Sequence, residues 1–281
     1  MRIFLTGATG YLGNAVALKL RHHGHDVAAL IRPESEARSL RDAGVVLVAG
    51  DLSTLPSLSL SEYDAVVHTA MSNKDTVALD KTAVDALTAS RRPFLYTSGV
   101  WVLGNSTQAD ESTNRNPLQL VAWRAAHEQL VTASGGAVLR PGCIYGGKQS
   151  MFAEWFASVD QHGPIRIVGD GENRWALVHL DDTADCYVRA IEQRATGILH
   201  AVDDTHVSLN ECARAFSKDA KIEHVPVDRE KLGPFADALT VDQVISSEAT
   251  RRRLGWKPKR TFTSSFDEQW RDWRSSRKLD Q

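Results

Sequence analysis

Residues 1–13 read MRIFLTGATGYLG. The apolar run Ile3, Phe4, Leu5 passes straight into glycines at 7, 10 and 13, and Val16, Ala17 and Leu20 follow at helical spacing. The pattern predicts a buried strand, a tight turn and a helix N-terminus in close succession. Gly7 allows the turn, Gly10 the approach of a pyrophosphate, and Gly13 close packing of helix on strand. The free N–H groups and positive dipole end of that helix favour phosphate. Tight strand–helix turns need glycine with or without a ligand. Their place here, between a strand and a helix at the start of the chain, points to a bound dinucleotide.

The bulk properties are those of an ordinary soluble α/β protein. The 281 residues suit one large domain or a domain with an appendage. A formal charge of −2 gives no electrostatic reason to expect nucleic acid or an anionic membrane. Cys143, Cys186 and Cys212 lack metal-ligand spacing, so buried reduced thiols and no metal are expected. No leader-like or membrane-length apolar run is present, and a cytoplasmic location is expected.

Short apolar runs continue at 26–31 (DVAALI), 45–49, 65–69, 93–97 and 137–140, with helix-like segments at 76–90 and 123–133 between them. This alternation predicts a doubly wound parallel sheet of Rossmann type, covered by helices on both faces. After Arg140 the texture changes. An amphipathic helix is expected over 151–162, a Gly-rich charged loop over 168–175, and a helix capped by Asp181 or Asp182. A further strand is expected at 198–202, and a helix capped by Ser246 and ended by Gly255. The expected division is a nucleotide domain at 1–145, with about 176–205 returning to it. A smaller α/β substrate-binding part would take 146–175 and 206–281.

Several stretches taken in order resemble the extended and atypical short-chain dehydrogenase/reductase superfamily, in its NAD(P)-dependent epimerase/dehydratase-like branch. They are 6–13 (TGATGYLG), 50–52 (GDL), 67–70 (VHTA), 96–99 (YTSG), 140–146 (RPGCIYG), 178–184 (VHLDDTA) and 254–256 (LGW). The resemblance implies that Gly7, Thr9, Gly10, Tyr11, Leu12 and Gly13 hold the pyrophosphate. Asp51 and Leu52 would flank the adenine, Thr69, Ala70 and Met71 would line the far ribose, and Thr97 and Ser98 would approach the nicotinamide ribose. Asp51 has a second reading as a strand-ending turn residue, and His68 reads as a histidine packed at a strand end.

The end of the second strand bears on the choice of cofactor. NAD enzymes commonly place an acid there to accept from the ribose 2′-OH. Here Ile31 is followed by Arg32, whose guanidinium suits a 2′-phosphate, so NADPH is expected over NADH. The alternative is a surface arginine after a strand.

The catalytic residues do not align. The family's Tyr-x-x-x-Lys is missing: with Glu128 matched to the acid that follows the Lys, Arg124 takes the Lys position and Leu120 the Tyr position. The other registration pairs Trp123 with His127. Gly99 takes the place of the usual Ser, with Ser98 one residue earlier. Leucine cannot transfer a proton and arginine stays protonated. Ser98, Tyr145, His127, a substrate group or water then remain as proton sources, and Arg124 as a group for the ribose or a carboxylate. Trp101, Trp123 and Trp155, with other aromatics, are candidates to line an apolar cleft, the alternative being core packing. Arg174 resembles an epimerase arginine for a substrate diphosphate, the alternative being a solvated loop arginine.

The function expected is an NADPH-dependent oxidoreductase of the atypical type, moving hydride to or from a small apolar carbonyl, imine or enone. A non-enzymatic NAD(P) sensor or partner-binding protein is the alternative, and a sugar-nucleotide epimerase or dehydratase the second. The partner expected is a small-molecule substrate; the sequence leaves the oligomeric state open, and the family resemblance makes a homodimer one candidate.

Overall fold

A computed structural model describes residues 1–147, 149–203, 205–216 and 221–277. The expected domain ranges also run through residues 148, 204, 217–220 and 278–281, which lie outside the described residues. In chain order the strands are β1 (Arg2–Thr6), β2 (Asp26–Ile31), β3 (Val46–Ala49), β4 (Ala65–His68), β5 (Phe94–Thr97), β6 (Ser106–Ala109), β7 (Ala137–Pro141), β8 (Cys143–Tyr145), β9 (Ile165–Val168), β10 (Leu177–His179), β11 (Gly197–Ala201), β12 (Ile222–Val225) and β13 (Gln243–Ile245). The helices are α1 (Tyr11–His22), α2 (Arg38–Asp42), α3 (Thr76–Ala89), α4 (Arg124–Ala133), α5 (Ala153–Asp160), α6 (Leu180–Glu192), α7 (Leu209–Arg214), α8 (Arg229–Leu232), α9 (Phe235–Thr240), α10 (Glu248–Leu254) and α11 (Phe266–Arg277).

Seven strands form one sheet in the order β11-β7-β5-β4-β1-β2-β3, every neighbouring pair parallel. Alternate side chains of β1 serve opposite faces, because successive residues of a strand point to opposite sides. Ile3 and Leu5 pack with Val16, Leu20, Tyr187 and Val188, whereas Phe4 packs with Val66, Val84, Leu87 and Val131. The chain order reverses between β1 and β4, which opens a crevice at the C-terminal ends of those strands.

A second core is largely aromatic and includes Tyr145, Phe152, Trp155, Phe156, Trp175, Phe262 and Trp273. Around it lie the parallel ribbons β8–β10 and β9–β12, and β13 pairs parallel with β6. The three cysteines are free and buried.

Two expected caps change. His179, not Asp181 or Asp182, is the N-cap of α6, its Nδ1 accepting from the Asp181 amide at 3.1 Å. Asp182 is buried and instead accepts from the amides of Lys259 and Arg260, both at 2.9 Å, docking the C-terminal segment. Ser247 is the N-cap of α10, although Ser246 Oγ accepts from the Glu248 amide; Gly255 ends that helix at φ +59°. The helix expected over 151–162 is confined to α5.

Candidate active site

The turn after β1 lies at the reversal point of the sheet. Gly7 adopts φ +83°, and a Cβ there would lie 2.5 Å from the amide nitrogen of Ala70, in the loop after β4. Gly13 is buried, and a Cβ on it would meet Thr69 Oγ1 at 2.5 Å and overlap the Gly7 carbonyl oxygen. Gly10 differs: its φ of −81° is open to any residue, and a Cβ would come no closer than 3.3 Å to protein. Gly10 is exposed and caps α1 with no side chain, leaving the first helical N–H groups uncapped. A bare helix N-terminus beside an exposed Thr9 and Gly10 fits a pyrophosphate.

Around this turn the other expected cofactor residues divide. Tyr11 donates its hydroxyl to the Gly146 carbonyl, tying the turn to the segment after β8, and burial raises its pKa so that it stays un-ionised. Leu12 is half-buried against the core. Thr69 Oγ1 donates to the Thr6 carbonyl at 2.8 Å, so its hydroxyl serves strand spacing. Met71 is 67% exposed. Asp51 Oδ1 accepts from the Ser53 hydroxyl at 2.6 Å and from the amides of Ser53 and Thr54. These bonds, the Ser53 hydroxyl first, hold its carboxyl below the ordinary range. This is the turn geometry of the second reading; Leu52 packs half-buried beside it against the second face's core. Arg32 is exposed, with Glu34 Oε1 at 3.4 Å from its Nε.

The groups expected to act on substrate are mostly turned away. Tyr145 is fully buried and donates to Asp203 Oδ2 at 2.9 Å, which removes it from the cleft as a proton donor. Burial, with Asp203 beside it, raises its pKa. Ser98 Oγ is buried next to the Glu128 carboxylate without a well-formed hydrogen bond. Glu128 itself is clasped by Arg140, Nε to Oε1 at 2.9 Å and Nη2 to Oε2 at 2.6 Å, so it serves the core. Thr97 Oγ1 pairs with Tyr187 Oη of α6 at 2.6 Å. Trp155 packs on Phe152 and Phe216 in the second core, the core-packing alternative and not the cleft wall. Trp101 meets Phe235 edge-on, and Trp123 is half-buried. Arg174 is held by Asp242, Nε to Oδ1 at 2.8 Å and Nη2 to Oδ2 at 2.7 Å, leaving little of its fork for a diphosphate.

Arg124 is the exception. It stands at the first position of α4, over the Trp123 ring at 4.5 Å, and its Nη1 donates to the Thr97 carbonyl at 2.7 Å and to Tyr96 Oη at 3.2 Å. Its Nη2 reaches Met71 Sδ at 3.8 Å, so the guanidinium spans the loops after β4 and β5. Leu120, at the position aligned with the family's Tyr, is 37% exposed and carries no titratable group.

Sequence reasoning missed a buried polar group behind Arg124. Asp80 lies on the inward face of α3 with Ala83, Val84 and Leu87. Its carboxylate meets His68, Tyr96 and His127. The signal was present: a carboxylate at 80 falls in the same i, i+3, i+4, i+7 stripe as three apolar residues. His68 is buried at the end of β4, as expected, yet as a member of this group.

The sequence model of the NAD dependent epimerase/dehydratase family matches residues 3–201. An uncharacterized protein of Schizosaccharomyces pombe is 31% identical over 280 residues, 92% of this chain and 95% of that protein. A 3-diazoavenalumate denitrifying reductase of Streptomyces sp is 27% identical, covering 92% of this chain and 96% of its own length. Among solved structures, a UDP-glucose-4-epimerase from Stenotrophomonas maltophila with bound NAD and formylated UDP-arabinopyranose superposes with a TM-score of 0.82 at 20% identity, over 99% of each chain.

Proposed function

This chain belongs to the NAD dependent epimerase/dehydratase family, and from that premise we propose an NADPH-dependent oxidoreductase of the atypical short-chain type that acts on a small apolar carbonyl, imine or enone. That it is an NAD(P)-dependent enzyme of the superfamily follows from the family; the cofactor preference and substrate class are our reading. What carries it is the pairing of a bare, uncapped α1 N-terminus with a fixed guanidinium, Arg124, at the position that the family resemblance matches to its Lys.

In this reading the uncapped amides after Gly10 hold the pyrophosphate and Arg32 takes the 2′-phosphate. Arg124 holds an oxygen of the nicotinamide ribose. NADPH supplies the hydride when bound. Arg124 cannot give up a proton at ordinary pH, so it binds and orients, and the proton on the product comes from water or the substrate itself. The half-buried Trp101 and Trp123 favour a flat, apolar substrate. The Streptomyces relative is named as a reductase, which favours reduction. The engagement of Arg174 by Asp242 weighs against a sugar nucleotide.

The test is a paired titration of the purified protein with NADPH and NADH, followed by a screen of aryl ketones, imines and enones for stoichiometric NADPH loss. Tighter NADPH binding with turnover of one class supports the proposal. Tighter NADH binding overturns the role of Arg32 alone. Binding without turnover of any compound favours the sensor, and binding of neither below millimolar sinks the oxidoreductase.

A further inference from the structure

The group behind Arg124 reaches from the glycine turn to the cleft. Asp80 Oδ2 lies 2.6 Å from His127 Nδ1 and 2.8 Å from Tyr96 Oη, and Oδ1 lies 3.2 Å from His68 Nε2. His68 Nδ1 is in turn 2.6 Å from Thr6 Oγ1, the residue before Gly7. An ionised carboxylate only accepts, so the proton directions follow. His127 Nδ1–H, His68 Nε2–H and Tyr96 O–H all donate to Asp80. In a neutral imidazole His68 Nδ1 then accepts from the Thr6 hydroxyl, and the Tyr96 oxygen has its lone pairs free for Arg124 Nη1. His68 also stacks on Tyr96, centroids 5.8 Å apart and planes 11° from parallel.

Burial opposes ionisation of Asp80, but the hydrogen bonds from His127 and His68 and the nearby Arg124 charge outweigh it and hold the carboxyl below its ordinary range. The carboxylate is therefore ionised near neutral pH, and the Tyr96 hydroxyl bridges it to the guanidinium, 2.8 Å from Asp80 Oδ2 and 3.2 Å from Arg124 Nη1. Both acceptors of Arg124 Nη1, Tyr96 Oη and the Thr97 carbonyl, come from adjacent residues of β5. Among the described residues, Nη2 is matched only by the Met71 thioether, a weak acceptor. One edge of the fork is spent on the protein, and Nη2 makes this weak contact with Met71, in the loop after β4.

We infer that Asp80 is a positioning residue: through the Tyr96 hydroxyl it aims Arg124 so that Nη2 meets an oxygen at the nicotinamide end of a bound dinucleotide. The inference rests on the cofactor role given to Arg124 above. It makes the buried carboxylate and hydroxyl part of the binding apparatus although neither touches ligand.

The experiment is a double-mutant cycle read by NADPH and NADH dissociation constants, with thermal melts to verify folding. Arg124→Ala is expected to weaken both dinucleotides by the same factor, about tenfold, or 1.4 kcal/mol. Tyr96→Phe keeps the ring on His68 and removes only the link, and should weaken both several-fold. Tyr96→Phe combined with Arg124→Ala should bind no worse than Arg124→Ala alone, because the two act as one unit. Asp80→Asn should follow Tyr96→Phe if it folds; Tyr96→Phe carries the test if it does not. Full additivity, or Tyr96→Phe binding like wild type while Arg124→Ala binds weakly, overturns the positioning role and leaves that of Arg124 intact. Unchanged binding by Arg124→Ala overturns both.

Discussion

Asp242 grips the Arg174 guanidinium along its Nε–Nη2 edge, at 2.8 and 2.7 Å, and also accepts from the Arg174 backbone amide at 2.9 Å. The carboxylate raises the arginine pKa, and the pair joins the loop before β10 to the start of β13. Both side chains remain about one-third exposed, so solvent screening keeps the pair's contribution to about 1 kcal/mol or less. Arg174→Ala is expected to lower the melting temperature slightly and leave dinucleotide binding and any turnover unchanged. Loss of binding to a uridine diphosphate sugar in calorimetry, with the fold retained, would instead give Arg174 a ligand.

The glycines of the turn separate fold from binding. A Cβ on Gly13 has no room against Thr69 and Gly7, so Gly13→Ala should destabilise by about 1–3 kcal/mol or more through overpacking. Gly10 has an ordinary φ, and a Cβ there would press on the Gly7 carbonyl oxygen only at 3.3 Å, so Gly10→Ala should cost far less stability than Gly13→Ala while losing tenfold or more in NADPH affinity. Melting curves paired with a fluorescence titration check both. A folded Gly10→Ala protein of unaltered affinity would remove the pyrophosphate from this turn.

Arg32 bears on cofactor choice through charge. It is two-thirds exposed and, among the described residues, ion-paired with Glu34 at 3.4 Å, so it is available to a phosphate. A charge-assisted hydrogen bond contributes about 1.5–3 kcal/mol, or roughly ten- to a hundredfold. Arg32→Asp should lower NADPH affinity by at least that factor and leave NADH affinity equal or improved. An unchanged ratio of the two dissociation constants refutes the role.

Tyr145→Phe removes the hydrogen bond to buried Asp203 and should cost about 1–3 kcal/mol, because the carboxylate loses a partner. Turnover, once a substrate is found, should keep its kcat. A large fall in kcat at unchanged stability would restore Tyr145 as an acid.

Acid should destabilise the protein from a definite pH. Burial first, then the Arg260 charge, lowers the pKa of His179, and burial lowers that of His200. A depressed folded-state pKa contributes stability that is present above the unfolded value, about 6.5, and lost as pH falls below it. Melting temperature should therefore fall from about pH 6.5 downward. His179→Asn keeps an N-cap acceptor and should flatten that fall while lowering the plateau. An identical slope in the variant would show that His179 does not drive it.

Local pattern carried the sheet and the turn. The run 3–5, the glycines at 7, 10 and 13 and the strand at 26–31 are short-range features, and a parallel strand buried on both faces leaves few alternatives to an apolar run. The order of the family-like stretches extended this as far as 254–256, and the family's sequence model matches residues 3–201. The missing Tyr-x-x-x-Lys was equally legible, because it depends on residue identity and spacing alone.

Pairings between distant residues were settled only by the tertiary structure. Asp182 was expected to cap its own helix and instead receives the amides of residues 77 and 78 positions later. Tyr145, a candidate proton source, and Trp155, a candidate for the cleft wall, are packed in the second core, and Arg174 is engaged by Asp242. Asp80, His68, Tyr96 and His127 come from two strands and two helices that meet only when the crossovers have folded back on the sheet. Periodicity records which face of an element is buried. It does not record which partner satisfies a buried polar atom, because that partner is chosen by long-range packing, and this is where the candidate active site acquires its fixed arginine.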